Sequence, residues 1–292
     1  MSIANLKRHM LTHLGPFTRR ELLSHASSTA VNRAIARGEI VRILPNRYAA
    51  AVHADSWLVR TLAVSDWTRG TVGGDAALRL AGLAEEPRIV DVTVPPGEHR
   101  RGPHWVRIHS TSARVDTWTA HGRPVSLPAL AVVQAFSWAD ARERSERVFG
   151  PCRRGANKKL ILEAAAGFSR IPDRRLLVRC LAAAQQGAES YLEMHAARVL
   201  AGPLLGACVR QHRVRVEGEA FRLDAFHVRS ATAFEFDGEE FHSRLAEVRE
   251  DRRRDALLAS IGIQTVRFAY RDVMGDLGRC RAVAESTVRR RM

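Results

Sequence analysis

The chain has 292 residues, a length that predicts two or three domains rather than one small core. Its 46 lysines and arginines outnumber 31 aspartates and glutamates, and the formal net charge of +15 favours a polyanionic partner, nucleic acid above all. General solubility and codon bias are the alternative, because all but three of these bases are arginine. The four cysteines stand singly, without a C-x-x-C pair, which argues against a structural zinc site and a disulfide framework.

The beginning of the chain, from Met1 to Gly15, contains no apolar run of signal-peptide length. Elsewhere in the sequence no long apolar span is visible. We therefore expect a cytoplasmic protein without a membrane partner.

Residues 1–55 carry the signals of three short helices followed by a β hairpin. Thr18 and Glu21 form a capping-box pattern at the start of the second helix, and Gly38 is placed to end the third. The predicted elements are helices over about 3–14, 18–25 and 30–37 and strands over 40–44 and 47–50. These are the parts of a winged helix-turn-helix, whose third helix enters the major groove while the hairpin contacts phosphates.

Polar side chains of the third helix and the hairpin are the DNA-binding candidates of this domain. Asn32 and Arg33 suit base edges, and Arg37 is exposed on the same helix. Arg42 and Arg47 suit backbone phosphates. The alternative is a winged helix that serves only as a protein-interaction module, with no contact to the groove.

Four short motifs occur in these first fifty residues. They are Gly15-Pro-Phe-Thr18, Glu21-Leu22, Arg37-Gly38-Glu-Ile40 and Arg42-Ile-Leu-Pro-Asn-Arg-Tyr48. In this order they resemble the N-terminal domain of AbiEi-type antitoxins. The resemblance implies a DNA-binding or autoregulatory role and allows a toxin or defence-system partner, and it does not itself imply enzymatic chemistry.

The middle of the chain mixes helix and strand patterns and carries no catalytic signature. We predict an α/β middle domain over residues 56–150 and a helical connector over residues 151–186, separated at Gly150-Pro-Cys-Arg-Arg-Gly155. The predicted strands lie at 88–94 and 105–109, and a helix is predicted over 127–138.

Residues 187–292 predict the succession α-β-β-β-α-β-α and contain four acids in an ordered series. The predicted elements are helices over about 188–202, 243–261 and 272–290 and strands over about 210–216, 220–227, 231–237 and 263–269. The acids are Glu193 on the first helix, Asp224 on the second strand, and Glu235 and Asp237 on the third. Glu235 and Asp237 share a face because strand side chains alternate, and such a cluster of like charges calls for a cation.

Five motifs of this region occur in a recognisable order. They are Ser190-x-Leu-Glu193, Arg222-Leu-Asp224, Phe234-Glu-Phe-Asp-Gly238 with His242, Asp251-x-x-Arg254-Asp255, and Gly262-Ile-Gln-Thr-Val-Arg267-Phe268 with Asp272-Val273. Together they resemble the PD-(D/E)XK nuclease superfamily, and specifically a domain family related to Vsr, the very-short-patch-repair endonuclease. The resemblance implies a restriction-endonuclease-like α/β/α domain and hydrolysis of phosphodiester bonds.

The resemblance also assigns roles to individual residues. It implies that Glu193, Asp224 and Glu235 are ligands of Mg²⁺ or Mn²⁺, hard cations that prefer oxygen donors. His242 stands where a histidine of Vsr-like enzymes helps with proton transfer, and a structural role is its alternative.

Asp237 departs from the superfamily pattern, because a catalytic lysine often stands two positions after the acid that corresponds to Glu235. A carboxylate at that position binds a second metal, orients a water or supports the adjacent turn. Arg254 faces either the sheet or a scissile phosphate, while a solvated helix with internal ion pairs is the alternative for the run around it.

The sequence therefore predicts an α+β multidomain protein that binds double-stranded DNA through a winged helix and cuts it with a metal-dependent rear domain, in DNA repair or phage defence. The first alternative is a noncatalytic transcriptional regulator of the antitoxin type that keeps a nuclease-like scaffold. The second is an RNA-directed nuclease, since the phosphate chemistry is the same.

Overall fold

The computed structural model describes residues 3–98, 100–186, 188, 190–237 and 245–292. Within these ranges it contains thirteen α helices and eleven strands in three sheets, so the predicted mixture of α and β structure is confirmed. The chain divides into two compact units, Met1–Gln185 and Gln186–Met292. No described helix combines the length and the apolar character needed to cross a membrane.

Three helices and a hairpin open the first unit. They are α1 (Ile3–Thr12), α2 (Arg19–His25), α3 (Ser28–Ala36), β1 (Ile40–Leu44) and β2 (Arg47–Ala50). The predicted capping box begins α2, since the Thr18 hydroxyl accepts a hydrogen bond from the Glu21 amide while the Glu21 carboxylate accepts one from the Thr18 amide. Leu6, Leu22 and Val31 are fully buried in the core that these elements share.

A five-stranded sheet follows in the first unit. Its strands are β3 (Thr71–Val72), β4 (Val90–Val94), β5 (Val106–Ser110), β6 (Thr117–Ala120) and β7 (Arg123–Ser126), in the order β5-β4-β3-β7-β6. The sequence predicted β4 and β5 and missed the other three. The turn between β6 and β7 has positive φ at His121 and Gly122 (48° and 73°), a backbone that two-residue hairpins favour.

Six helices complete the first unit. They are α4 (Trp57–Thr68), α5 (Gly74–Leu80), α6 (Pro128–Trp138), α7 (Glu146–Arg153), α8 (Lys158–Ala166) and α9 (Arg174–Gln185). The predicted boundary between residues 150 and 151 falls inside α7, which continues through Pro151. The predicted connector therefore begins within a helix of the first unit.

The second unit is one mixed sheet with helices on both faces. Its elements are α10 (Tyr191–Val199), β8 (Val209–Val216), β9 (Glu219–His227), β10 (Thr232–Asp237), α11 (Leu245–Ser260), β11 (Gln264–Ala269), α12 (Tyr270–Gly275) and α13 (Leu277–Arg291). The strand order is β11-β10-β9-β8, with β10 and β11 parallel and the other pairs antiparallel. The predicted order of helices and strands is confirmed, except that the last predicted helix is two helices.

Asp276 explains why the last predicted helix is two helices. Its backbone is not helical (φ −148°, ψ 82°), and its side chain accepts a hydrogen bond from the Arg279 amide at 2.9 Å. An aspartate in this role begins a new helix, because it satisfies an amide that has no partner inside the helix. The periodic pattern of residues 272–290 hides this break.

The two faces of the second sheet differ in character. Phe234 and Phe268 stack on one face, with ring centroids 6.4 Å apart, and pack there against α10, α12 and α13. Because side chains alternate along a strand, Ala233 and Glu235 of β10 project to the other face. On that face Ala233 shares a core with Leu258 of α11. Glu235 therefore lies on the face that α11 covers.

Candidate functional site

Two carboxylates lie close together at the end of the register between neighbouring strands of the second unit. The antiparallel register of β9 and β10 runs from Thr232–His227 to Phe234–Ala225, and Asp224 and Glu235 follow its last pair directly. The Asp224 amide donates to the Glu235 carboxylate, and the Asp224 charge raises the pKa of Glu235. The amide of Phe236 donates a hydrogen bond to Asp224 Oδ2 at 3.0 Å, which orients that carboxylate beside Glu235.

Glu235 is the more buried member of this pair, with 5% of its surface exposed. Its pKa is raised to about 7, first because burial penalises the charged carboxylate. The guanidinium of Arg254 lowers this pKa, the Asp224 carboxylate raises it, and Arg267 lowers it. The charged form of Glu235 is thus only partly compensated by the protein.

Arg254 brings α11 to the acid pair. Its Nη2 donates to Glu235 Oε1 at 3.0 Å and to the carbonyl of Arg222 at 2.8 Å. Its side chain is 22% exposed, and its Nε is buried without a hydrogen-bond partner among the described residues. Of the two orientations that the sequence left open, facing the sheet is confirmed.

Asp237 is held by a different arginine. Arg267 on β11 lies 3.3 Å from Asp237 Oδ1, and the same guanidinium also contacts Asp251 and Asp255 of α11. One cation therefore serves three carboxylates. The position where the superfamily often has a lysine is occupied by an acid that is engaged in an ion pair with the neighbouring strand.

Glu193 lies in the first turn of α10, where its amide donates to the Ser190 hydroxyl, and α10 packs on the aromatic face of the sheet. Glu235 projects to the opposite face. Among the described residues no three His, Cys, Asp or Glu side chains form a group that could hold a metal ion. The three-acid ligand set stays a prediction.

The carboxylates of Asp224 and Glu235 fit a divalent cation by their donor chemistry. Magnesium is commonly bound through one or two carboxylates while it keeps several waters, so a third acid is not required. Neighbouring carboxylates repel, and the raised pKa of Glu235 reflects its burial together with that repulsion. A hard cation at Asp224 and Glu235 would relieve both effects.

Two further residues complete the comparison with the sequence. His242, the predicted proton-transfer group, lies outside the described residues. Arg267 carried no role in the sequence prediction. The feature that places Arg267 at the site is the parallel pairing of β10 and β11, which sets it beside Glu235 in the register. That pairing depends on the crossover through α11 and is not visible in the spacing alone.

The DNA-binding candidates of the first unit separate into two groups. Asn32, Arg33, Arg37 and Arg42 are exposed on α3 and β1. Arg19 donates to Asn32 Oδ1 at 2.5 Å and so orients its amide.

Arg47 is the exception. Its guanidinium donates to the carbonyl of Asp66 at 2.8 Å and to the carbonyl of Asn46 at 2.9 Å, and its side chain is only 16% exposed. It ties the hairpin to the end of α4. These bonds engage its guanidinium within the protein, and its contact with a DNA phosphate stays a prediction.

Neither a protein-family model nor a curated protein matches this sequence. The resemblances to antitoxins and to Vsr-like nucleases consequently stay predictions, and the geometry of the acid pair carries the functional argument.

Proposed function

We propose that this protein is a divalent-metal-dependent DNA endonuclease that hydrolyses phosphodiester bonds. The observation that supports it best is the acid pair, Asp224 and Glu235, which lie close together on adjacent strands. A buried carboxylate beside a second one, with incomplete compensation, costs stability, and such groups cluster at functional sites.

Asp224 and Glu235 are the residues that would hold Mg²⁺ or Mn²⁺. When bound, such an ion supplies Lewis acidity to a phosphoryl oxygen and lowers the pKa of a water. The chain itself orients one ligand, through the bond from the Phe236 amide to Asp224, and keeps the other, Glu235, away from bulk water. Arg254 brings a positive charge to the same place.

DNA is the proposed substrate because of charge and of the exposed side chains on the first unit. The chain carries a net charge of +15, and counterion release makes such proteins bind nucleic acid strongly at low salt. Arg33, Arg37 and Arg42 are exposed on the helix and strand that the winged-helix prediction places at DNA. Asn32, oriented by Arg19, suits an adenine edge.

A noncatalytic DNA-binding regulator is the second candidate, and a specific observation favours it. Guanidinium groups already compensate the acids, since Arg254 pairs with Glu235 and Arg267 pairs with Asp237. A sheet stabilised in this way can persist as a scaffold without a metal. The two candidates differ in whether Asp224 and Glu235 affect cleavage.

Plasmid nicking separates the candidates. Supercoiled DNA is incubated with the purified protein and Mg²⁺ or Mn²⁺, next to the Asp224→Asn and Glu235→Gln variants. We expect nicking by the wild type and a loss of at least about a hundredfold in each variant, because a ligand of the ion is removed. The matched control is Glu250→Gln, which changes an exposed acid paired with Arg253 on α11 and should nick like the wild type.

Two results would contradict the endonuclease. Absence of nicking with either ion favours the regulator, and equal nicking by the wild type and both variants assigns the activity to another site or a contaminant. A parallel reaction with single-stranded RNA tests the substrate, since cleavage of RNA alone would exclude DNA as the substrate.

A further inference from the structure

Three arginines lie on the face of the second sheet that α11 covers, and they differ in how fully they are used. Arg267 is shared by three aspartates, and Arg253 bonds Glu219 of β9 and Glu250 of its own helix. Among the described residues Arg254 has one acidic partner, Glu235. Both of its hydrogen bonds to these residues run from Nη2, and its buried Nε has no partner among them.

The donors of Arg254 that have no partner among the described residues suit an anion. A guanidinium has five N–H donors in a planar fork that matches the oxygens of a phosphate, and a buried donor without a partner costs free energy. Glu235 engages only one edge of that fork. The position of Arg254 beside the acid pair makes a phosphodiester the anion that fits.

We propose that Arg254 is an exchangeable counter-ion that couples metal binding to DNA binding at this site. In the free protein its charge compensates Glu235. When a divalent cation takes over Glu235, the guanidinium is released to donate to an oxygen of the scissile phosphodiester. The inference rests on the proposed function, because it deepens the role of the same acid pair.

The coupling follows from the fact that one positive charge cannot serve two anions equally well. In the free protein the metal competes with Arg254 for Glu235, so its affinity is reduced. DNA that engages Arg254 removes this competition and tightens metal binding, and reciprocity requires that the metal tighten DNA binding by the same factor. Couplings of this kind typically amount to about 5-fold to 150-fold.

The test uses the full-length protein and two binding measurements that do not depend on activity. Mn²⁺ affinity without DNA is measured by electron paramagnetic resonance of the free ion. The affinity for a short DNA duplex is measured by fluorescence anisotropy with and without Ca²⁺, which takes the same kind of oxygen ligands. The variant is Arg254→Gln, which keeps a donor for Glu235 and for the Arg222 carbonyl but removes the charge.

We expect Arg254→Gln to bind Mn²⁺ about tenfold more tightly than the wild type, because the competitor is gone, and to lose most of the gain in DNA affinity that Ca²⁺ provides. Arg254→Lys restores the charge and should restore both properties in part. Arg253→Gln is the matched control, because Arg253 is the neighbour of Arg254 and forms ion pairs with Glu219 and Glu250 instead. This variant should behave like the wild type. Circular dichroism confirms that each variant folds.

The outcomes separate the inference from the proposed function. If the wild type binds Mn²⁺ through Asp224, shown by loss of binding in Asp224→Asn, and Arg254→Gln keeps the wild-type Mn²⁺ affinity and Ca²⁺ gain, the inference is wrong and the metal site survives. If the wild type binds no Mn²⁺, both are wrong. A variant that binds Mn²⁺ more weakly than the wild type would also overturn the inference, since Arg254 would then assist the metal.

Discussion

Glu235 is the carboxylic acid of the candidate site whose pKa is affected most by its surroundings. It is buried, it lies beside a second carboxylate, and its ion-pair partner Arg254 also donates to a backbone carbonyl. The consequence is a pKa near 7 for a group that titrates near 4.5 in solution. Such a carboxyl lowers the stability of the fold when it is charged. This cost is removed when the carboxyl is protonated or binds a cation.

The pH dependence of stability follows from that shift. A carboxyl whose pKa is higher in the folded than in the unfolded protein contributes stability below its unfolded pKa, and this stability is lost as pH rises through the folded pKa. In EDTA, we expect the free energy of unfolding to fall by about 3 kcal/mol between roughly pH 5 and pH 8 because of Glu235. Urea unfolding followed by far-ultraviolet circular dichroism measures it.

Glu235→Gln removes the titrating group and should flatten this pH dependence. The control is Glu219→Gln, because Glu219 is only half-buried and its pKa is lowered, first by its hydrogen bond to Arg253. That variant should keep the wild-type dependence. An unchanged slope in Glu235→Gln would show that other groups produce it.

At the residue scale the sequence predicted Asp224 and Glu235 as neighbours, because alternation and consecutive strands are local properties. It did not predict the arginines that meet them. Arg254 reaches Glu235 from a position nineteen residues later, and Arg267 reaches Asp237 from thirty residues later. Such partners depend on how α11 crosses the sheet. The role of Glu193 depends on the packing of α10 in the same way, and its place in the ligand set stays a prediction.

The hairpin of the first unit shows how an element constrains its own arginines. Arg42 lies in the middle of β1 and is exposed, whereas Arg47 begins β2 and is bonded to the carbonyl of Asp66. Both were predicted as phosphate contacts from the same pattern. The strands were predicted with their correct bounds because Asn46 and the flanking β-branched residues are local signals. The inward bond of Arg47 depends on α4 and was not predictable from the hairpin.

This difference provides a test of DNA binding by the hairpin. We expect Arg42→Ala to weaken binding to a DNA duplex and to reduce the slope of log affinity against log salt by about 1, because one phosphate contact is lost. Arg47→Ala should leave that slope unchanged and instead lower thermal stability, since the bonds to α4 are removed. Anisotropy titrations over a range of salt concentrations and a thermal melt measure the two effects. An unchanged slope in Arg42→Ala would exclude the hairpin from the DNA interface.

The whole molecule consists of two compact units with separate cores. The aromatic core around Phe234 lies within Gln186–Met292, and the core around Leu22 lies within Met1–Gln185. All five tryptophans lie in the first unit, so tryptophan fluorescence reports on that unit alone. Circular dichroism reports on both.

Separate cores predict separate folding. We expect a fragment of residues 186–292 to unfold cooperatively in urea when it is followed by circular dichroism. Phe234→Ala in this fragment removes a fully buried ring at a cost of about 3–5 kcal/mol and should leave it largely unfolded. Val228→Ala, at a position that is 59% exposed, is the matched control and should be nearly neutral. A fragment that lacks a cooperative transition would show that the second unit depends on the first.

The guanidinium of Arg267, shared by Asp237, Asp251 and Asp255, makes tolerance to substitution unequal. Replacement of one aspartate leaves the cation with two partners and reduces the repulsion among them. Replacement of Arg267 leaves three like charges between β10, β11 and α11 without the cation that they share. We therefore expect substitutions of single aspartates to be tolerated during evolution, whereas a substitution of Arg267 should be tolerated only after the aspartates have been replaced.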